Sequence, residues 1–446
     1  MSAKNKVTGI FWLIFFYASP VIPLVAYFAG NWYTFFHSWS LAMTAGIFAF
    51  GYIMNQFILG SRPRFFDKVL GLDKVLLLHS QMGLLSAFLI LAHLVIKNLN
   101  QFTLNNQVIL GVLAALIFLL VIVVSLVFMT SSILGRVKAV QNLKQFTAQK
   151  LRVQYQHLRA FHNLTALAAL FIALHVLLAS STSETWLRGL IMGIWFLIAM
   201  GFYLNHKILR PLRLRGKHWT VQKVVSVGPQ VWAIDLSRPQ GSSFNHRGGQ
   251  FAFFSFFKTE KGSEEHPFTI SSPPGSELVR VTAKVLGDWT ARIPQISPGD
   301  SVAVDGPYGL FTLNRLPVGR PVVMIAGGIG ITPFMSMLGN LTAEHKHGPL
   351  RLLWNARQEA DLFASQNFIH LEQTLPRFRY TPITSGSENW PGPTRGLEKD
   401  LGEELKEPLN YEYFLCGPPP QMYVLIKQLK ALGVRAKNIH FENFSM

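Results

Sequence analysis

Six predominantly apolar stretches, each about as long as a helix needs to cross a bilayer, fill the first 205 residues and decide most of what this chain can become. They run Gly9–Ala29, Ser38–Gly60, Lys74–Ile96, Val108–Thr130, Leu158–Ser180 and Trp186–Asn205. A helix needs about 20 apolar residues to cross a hydrocarbon core of about 30 Å, so each stretch is expected to span. The first is too long for the apolar core of a cleaved leader, and no small-residue cleavage site follows it, so it is read as a span. Only 14% of the 446 residues are charged, against about 25% in soluble proteins. Disorder, collagen and disulfide-stapled folds are excluded by the same composition. Cys416 is the single cysteine, so there is no internal disulfide or thiolate cluster, and any metal falls to His or carboxylate.

Charge locates the cytoplasmic side. Residues 1–217 carry 19 Lys and Arg against three acids, Asp67, Asp73 and Glu184, while residues 218–446 carry 22 against 20. The basic residues cluster at Lys4 and Lys6, at Arg62–Lys74, at Arg136–Arg159 and at Lys207–Lys217, that is, at alternate connections. The connections between them hold little beyond Lys97 and Arg188. Positive charge flanking spans marks the cytoplasmic face, so both termini are expected in the cytoplasm of a multi-pass cell-membrane protein. A nucleic-acid patch would instead sit on a polar soluble face, and nucleic acid is set aside.

Four histidines interrupt the apolar spans, where an ionisable side chain is costly and marks function by default. His79 and His93 lie 14 residues apart in the third stretch, His162 and His175 13 apart in the fifth. These spacings give axial separations of about 21 and about 20 Å. The two spans run the same way, so His79 stands level with His162 near the cytoplasm and His93 with His175 near the far side. Each pair is expected to ligate one haem iron from both axial sides through neutral imidazoles. Angular phase is less regular: His93 lies about 40° from His79, but His175 about 140° from His162. A bulge, bend or long rotamer must correct this. His157 shares the face of His175 but sits about 27 Å from it, so it is kept in reserve as an alternative to His162. Histidines that only hydrogen-bond between helices are the alternative. Lys97, one turn beyond His93, is either a snorkelling lysine or a cation for a haem propionate or an anionic acceptor.

Beyond Lys217 the texture changes. Short β-branched and aromatic runs (Val221–Val227, Gln250–Phe256, Leu278–Val285, Ser301–Val304) separated by Gly, Pro and Ser predict an antiparallel barrel. After Pro317, strands and helices alternate: Pro321–Ala326, a helix from Pro333, Leu350–Trp354, Tyr413–Cys416 and helix Pro420–Leu432. That is an α/β nucleotide-binding pattern. The expected domains are a six-helix membrane bundle over 1–215, a β-barrel FAD domain over 216–317 and an α/β NAD(P)H domain over 318–446.

Two segments of the barrel region carry a resemblance. His266-Pro-Phe-Thr-Ile-Ser-Ser272 follows its strands, and Gly287-Asp-Trp-Thr290 follows Lys284. With the paired histidines, these motifs make the chain similar along nearly its whole length to the NADPH oxidase and ferric reductase transmembrane family. The resemblance implies two b-type haems and a ferredoxin-reductase-like FAD and NAD(P)H module. It implies that His266, Pro267, Phe268 and Thr269 contact the flavin, that Ser271 and Ser272 close the adjacent turn, and that Lys284 with Gly287, Asp288, Trp289 and Thr290 holds the FAD pyrophosphate. Family members often carry Arg at the position of Lys284, so here a point charge replaces a bidentate clamp. A turn of small residues with free amides beside a cation suits a diphosphate.

Ala326-Gly-Gly-Ile-Gly-Ile-Thr-Pro333 lies between strand and helix, so Gly327, Gly328, Gly330, Thr332 and Pro333 are expected to let a dinucleotide pyrophosphate approach the backbone. No acid ends the next strand. Arg357 does, either to pair a 2′-phosphate and favour NADPH over NADH or as a solvated strand-end residue; Arg395 is a second candidate. The resemblance places Cys416, Gly417 and Pro418 beside the nicotinamide, a buried inert thiol being the alternative for Cys416. It makes Phe444 the terminal aromatic that covers the flavin, although two residues follow it.

The expected activity is transfer of electrons from cytosolic NAD(P)H through FAD and two haems to a small-molecule acceptor on the far side of the bilayer. Oxygen, giving superoxide, is the first expectation and a ferric chelate the second. A membrane protein with a vestigial reductase domain is the non-enzyme alternative. No calcium-binding loop or regulatory extension is visible, so no regulatory subunit is expected.

Overall fold

The computed structural model describes residues 3–29, 34–100, 103–129, 138, 140–142, 146, 155–256, 264–342, 348–384 and 408–443. Arg395 and Phe444 lie outside them. The chain divides into two compact units, Ala3–Leu209 and Arg210–Met446.

The first unit is helical. Its helices are α1 (Ala3–Ala18), α2 (Val21–Phe28), α3 (Ser38–Gly60), α4 (Arg64–Leu70), α5 (Leu72–Leu99), α6 (Asn106–Val124), α7 (Tyr155–His162), α8 (Thr165–Leu177) and α9 (Trp186–Leu204). Among the described residues five helices, α7 and α8 counted as one, are long and apolar enough to cross a membrane, or six if α1 and α2 also form one broken span. Helix α3 is the buried centre and packs along α5 and α9. Outward faces carry apolar stripes, as in Leu77, Leu84, Phe88, Leu91 and Val95 of α5, or Ile109, Leu113, Leu116, Leu120 and Val123 of α6.

Two expected spans are broken, each for a local reason. The first bends by 42° between α1 and α2. Pro20 has no N–H for the Phe16 carbonyl four residues back. Asn55 of α3 supplies the missing donor, its Nδ2 lying 2.9 Å from both Phe16 O and Ser19 Oγ, and Tyr52 OH donates to Tyr17 O at 3.0 Å. An unmet carbonyl away from water costs several kcal/mol, so the break depends on these donors.

The other break follows His162. Asn163, Leu164 and Ala166 donate to carbonyls three residues back, at 3.0–3.1 Å. Such 3₁₀ bonding turns each residue about 20° further and rises about 0.5 Å more than α-helix. Three such residues swing His175 about 60° toward the phase of the α5 pair and stretch thirteen residues to about 21 Å, so the backbone takes up more than half of the angular misfit of about 100°.

The second unit opens with α10 (Arg210–Arg215) and the strands β1 (Trp219–Gly228), β2 (Val231–Ser237), β3 (Phe251–Phe256), β4 (His266–Thr269), β5 (Val279–Lys284) and β6 (Ser301–Tyr308). They form one antiparallel sheet in the order β4-β3-β6-β1-β2-β5, and an Ile270–Val281 bridge joins its two edges. Val221, Ile234, Leu236, Phe254, Val281 and Val302 fill the barrel, each contributing about 1.5–3 kcal/mol by leaving water.

A parallel five-stranded sheet follows, with β7 (Val322–Gly327), β8 (Leu350–Ala356), β9 (Phe378–Thr384), β10 (Glu412–Gly417) and β11 (Ile439–Asn443) in the order β11-β10-β7-β8-β9. Helices α11 (Thr332–Leu338), α12 (Ser365–Thr374) and α13 (Pro419–Ala431) accompany it. Successive residues of β7 enter opposite cores, Val322 and Met324 on one face, Val323 and Ile325 on the other. That two-sided burial is why the strand reads as a continuous apolar run.

Candidate functional site

In the helical unit the four span histidines meet as two pairs. The rings of His79 and His162 lie 6.1 Å apart between centroids with planes at 52°; those of His93 and His175 lie 6.4 Å apart at 87°. A metal bonded to both Nε2 atoms at about 2.0 Å sets ring centres roughly 6 Å apart, so both separations suit a shared iron. Among the described residues no group of three or more His, Cys, Asp or Glu side chains is placed to hold a metal ion. Each pair offers two imidazoles, and two is the number of axial ligands that an iron already held in a porphyrin takes from protein. His157 is exposed and belongs to neither pair.

Every Nδ1 has a partner on a neighbouring helix. His79 meets Gln56 O at 3.1 Å, His93 meets Ala42 O at 2.8 Å, His175 meets Gln107 O at 2.8 Å and His162 meets Ser125 Oγ at 3.1 Å. A carbonyl on Nδ1, as at His79, His93 and His175, keeps the hydrogen there and leaves Nε2 bare for a metal. Glycines make the approach possible. A Cβ on Gly46 would sit 2.9 Å from His93 Nδ1, on Gly111 2.5 Å from His175 Nδ1, and on Gly60 3.4 Å from His79.

The sequence reading missed these glycines and Ser125. Their spacing was the available signal: Gly46 to Gly60 and Gly111 to Ser125 each cover 14 residues, as do His79 and His93. A cavity of about 380 Å³ beside the second pair is lined by Trp39, Gly46, Lys97, Gly111 and Arg188, among others. Lys97 Nζ lies 3.1 Å above the Trp39 ring, and Arg188 is committed to Ala26 O, Tyr27 O, Ser181 O and Glu184.

In the second unit, β4 pairs with β3 so that Thr269 faces Phe251 and His266 faces Phe254. The loop holding Trp289 folds over this strand, stacking its ring on His266 at 4.2 Å and 29°. Thr269 Oγ1 is buried without a hydrogen-bond partner within the protein, an orphan that a bound polar edge completes. Pro267 and Phe268 are half-buried beside it.

Other expected flavin contacts are engaged elsewhere. Ser271 Oγ meets Arg280 O and Thr282 Oγ1, Ser272 Oγ accepts from Arg280 N, and Lys284 Nζ pairs with Asp361 at 3.1 Å. The Gly287 amide, expected to be open for a diphosphate, donates to Thr290 Oγ1 at 3.0 Å, as does the Leu286 amide at 2.9 Å. Asp288 is exposed.

Chain order in the parallel sheet reverses between β7 and β10, and in such sheets ligands bind at that switch point, beyond the carboxyl ends of the strands. The two glycine motifs meet there. A Cβ on Gly330 would lie 2.2 Å from Cys416 O, and one on Gly417 3.0 Å from Gly327 Cα; one on Gly327 would meet Gln421 and Pro418. Gly328 has φ +54° and open space where a side chain would go, and Trp354 Nε1 donates to its carbonyl at 2.9 Å. Thr332 Oγ1 bonds Ile329 O at 3.1 Å, and Pro333 sits in the first turn of α11. Arg357 is exposed just past β8. Cys416 is fully buried in β10, and burial, with Glu442 adding to it, pushes its thiol well above the ordinary value. It therefore stays neutral rather than serving as a base or nucleophile.

His246, which the sequence reading passed over, joins the two sheets. Its Nε2 donates to Ser272 O at 3.0 Å, and the same carbonyl takes Ser336 Oγ of α11 at 2.7 Å. Burial lowers the His246 pKa, outweighing the bond to Ser272, and Arg238 lowers it further. A histidine held below its unfolded value of about 6.5 gives stability above that value that is lost as pH falls. The melting temperature read by flavin fluorescence should drop between pH 7.5 and 5.5, and less so in His246→Gln. Equal slopes in both proteins would contradict this.

Comparison with known families agrees with these two sheets. Residues 217–312 match the FAD-binding domain model and residues 324–428 the oxidoreductase NAD-binding domain model. The chain is 28% identical to the reductase component of propane 2-monooxygenase from Mycolicibacterium smegmatis, over 54% of this chain and 70% of that one. It is 29% identical to the toluate 1,2-dioxygenase electron transfer component of Pseudomonas putida, over 43% and 53%. The anthranilate 1,2-dioxygenase electron transfer component of Acinetobacter baylyi matches at 29%, over 43% and 52%. The chain thus spans about half the length of the latter two relatives. Among solved structures, a ferredoxin NADP+ reductase from Neisseria gonorrhoeae with bound FAD and NADP is similar at 22% identity and TM-score 0.44, covering 51% of this chain and 98% of that one. The second unit is an FAD-binding domain followed by an oxidoreductase NAD-binding domain, and the protein is an oxidoreductase.

Proposed function

We propose that this protein is a transmembrane flavocytochrome that moves electrons from cytosolic NAD(P)H to an acceptor across the bilayer, with both termini cytoplasmic. The observation that carries the reading is the two imidazole pairs at 6.1 and 6.4 Å, each ring anchored through Nδ1. The apolar outward stripes support a lipid setting, since in water they would be aggregation sites. His79 and His162 would hold the inner haem, His93 and His175 the outer. FAD fits the Thr269 orphan and the β4 strand; the nicotinamide dinucleotide fits the switch point beyond β7 and β10, at the open Gly328 turn. When bound, the flavin supplies conversion of a two-electron hydride donor into single electrons and the haems supply one-electron relay.

The chain's own residues position and exclude. Gly328 lets a pyrophosphate approach the backbone, Gly330 lets the turn pack on Cys416, Trp354 braces that turn, and Trp289 covers His266. No catalytic side-chain acid or base is required, which accords with the neutral Cys416. Arg357, exposed just past β8, would pair a 2′-phosphate. Arg357→Ala is expected to raise KM for NADPH about tenfold, roughly one charge-assisted hydrogen bond, and to leave KM for NADH alone. Equal effects on both would return Arg357 to a solvated strand end.

Oxygen is the first acceptor proposed, giving superoxide, and a ferric chelate the second, favoured by the cationic Lys97 at the outer cavity. The relatives are described as reductase or electron transfer components; here the receiving centre would lie on the same chain. The deciding experiment is the absorbance spectrum of purified protein: a Soret band shifted by dithionite and a haem-to-protein ratio near two. A yellow protein with flavin alone, purified with ample porphyrin supply, would end the reading. With NADPH added, superoxide-dismutase-sensitive cytochrome c reduction identifies oxygen, and oxygen-independent Fe(II) formation identifies the chelate.

A further inference from the structure

The four imidazoles are not anchored alike, and the difference lies four residues beyond each acceptor. Ala42, Gln56 and Gln107 offer main-chain carbonyls to His93, His79 and His175, and the residues four further on are Gly46, Gly60 and Gly111. In a helix the carbonyl of residue i already takes the N–H of i+4, so its second lone pair is reached over the side chain of i+4. Glycine there opens the approach, and at Gly46 and Gly111 a Cβ would sit within 3.0 Å of the ring nitrogen.

His162 departs from this rule. The position fourteen residues after Gly111 is Ser125, and its own hydroxyl meets the ring, Oγ to Nδ1 3.1 Å. The helix also changes there from α to π, over Ser125–Met129, a distortion often found at functional sites. A carbonyl only accepts, and so fixes the ring hydrogen on Nδ1. A hydroxyl either accepts or donates, so it fixes neither tautomer, and it is the weaker acceptor.

We propose that Ser125 is a positioning residue that raises the reduction potential of the His79–His162 iron and loosens its hold, relative to a carbonyl anchor. This rests on the two-haem reading above. An acceptor on the outer nitrogen makes a ligating imidazole more basic, and a more basic ligand favours the oxidised metal and binds it tighter. Through a hydroxyl, His162 receives less of that effect than the other three.

The test is a redox titration of purified, haem-loaded full-length protein. It is followed by absorbance and by EPR, where the different ring angles of the pairs, 52° and 87°, separate their signals. Ser125→Gly, which opens the Val121 carbonyl and restores the pattern of the other three, is expected to lower the inner potential and keep both haems. Ser125→Ala, which removes the acceptor, is expected to raise the inner potential and release that haem about tenfold faster. The outer component stays fixed in both. Unchanged potentials in the glycine variant, or equal shifts of both components, overturn the proposal. If the alanine variant does not assemble, the glycine variant decides alone. Absence of haem from the wild type is a separate result, which ends the parent reading.

Discussion

Replacing His93 or His175 by leucine is expected to cut bound haem from near two per chain to near one and to abolish reduction of an external acceptor, while NADPH still bleaches the flavin. In the proposed arrangement the pair is the outer of two, and its rings face each other at 6.4 Å. Removing either would leave a haem iron held there with one axial protein ligand, beside a cavity of about 380 Å³. The remaining pair stands about 20 Å deeper in the helix axis, so no relay reaches the far face. The flavin and nucleotide residues lie in the other unit, on their own strands, and keep their geometry. Haem extraction with anaerobic stopped-flow absorbance measures both halves. Loss of flavin bleaching in the same variants would show that the division of labour is misassigned.

A graded set of glycine substitutions follows from the same geometry. Gly111→Ala is expected to cost most of the outer haem, because its Cβ would enter His175 at 2.5 Å from Nδ1 and 2.7 Å from Cε1. That ring cannot retreat without giving up its bond to Gln107 O. Overpacking of this kind costs about 1–3 kcal/mol, and the lost anchor about another 1. Gly46→Ala is expected to be intermediate, at 2.9 Å from His93, and Gly60→Ala nearly silent, at 3.4 Å from His79. Haem content per chain after identical purification ranks the three. An equal loss in all three would mean that the glycines serve helix packing in general rather than the imidazoles.

Depth was legible in the sequence and phase was not. The spacings of His79–His93 and His162–His175 placed four side chains at two heights, since rise along a helix depends on residue count alone. The mismatch in angle pointed to a distortion without locating it, because three 3₁₀ bonds at Asn163, Leu164 and Ala166 leave no mark in an apolar stretch. Pro20 did mark the break in the first span, yet the donor that makes it tolerable, Asn55, comes from another helix. In the reductase half the glycine turns were readable because a strand, a turn and a helix follow one another in sequence. The pairing of Lys284 with Asp361 and the capture of the Gly287 amide by Thr290 were not, since each depends on how loops fold together. Strand β2, Val231–Ser237, was also missed.

The burial of Cys416 has a practical outcome. It is the single sulfhydryl of the chain, fully enclosed and held in its protonated form, so alkylating or spin-labelling reagents find nothing to react with in the folded protein. Nature has supplied a background in which any cysteine engineered on the surface becomes the one addressable handle. Pairs of such handles, one in each unit, give a direct ruler for the span that electrons would cross in the proposed relay from reductase to helices.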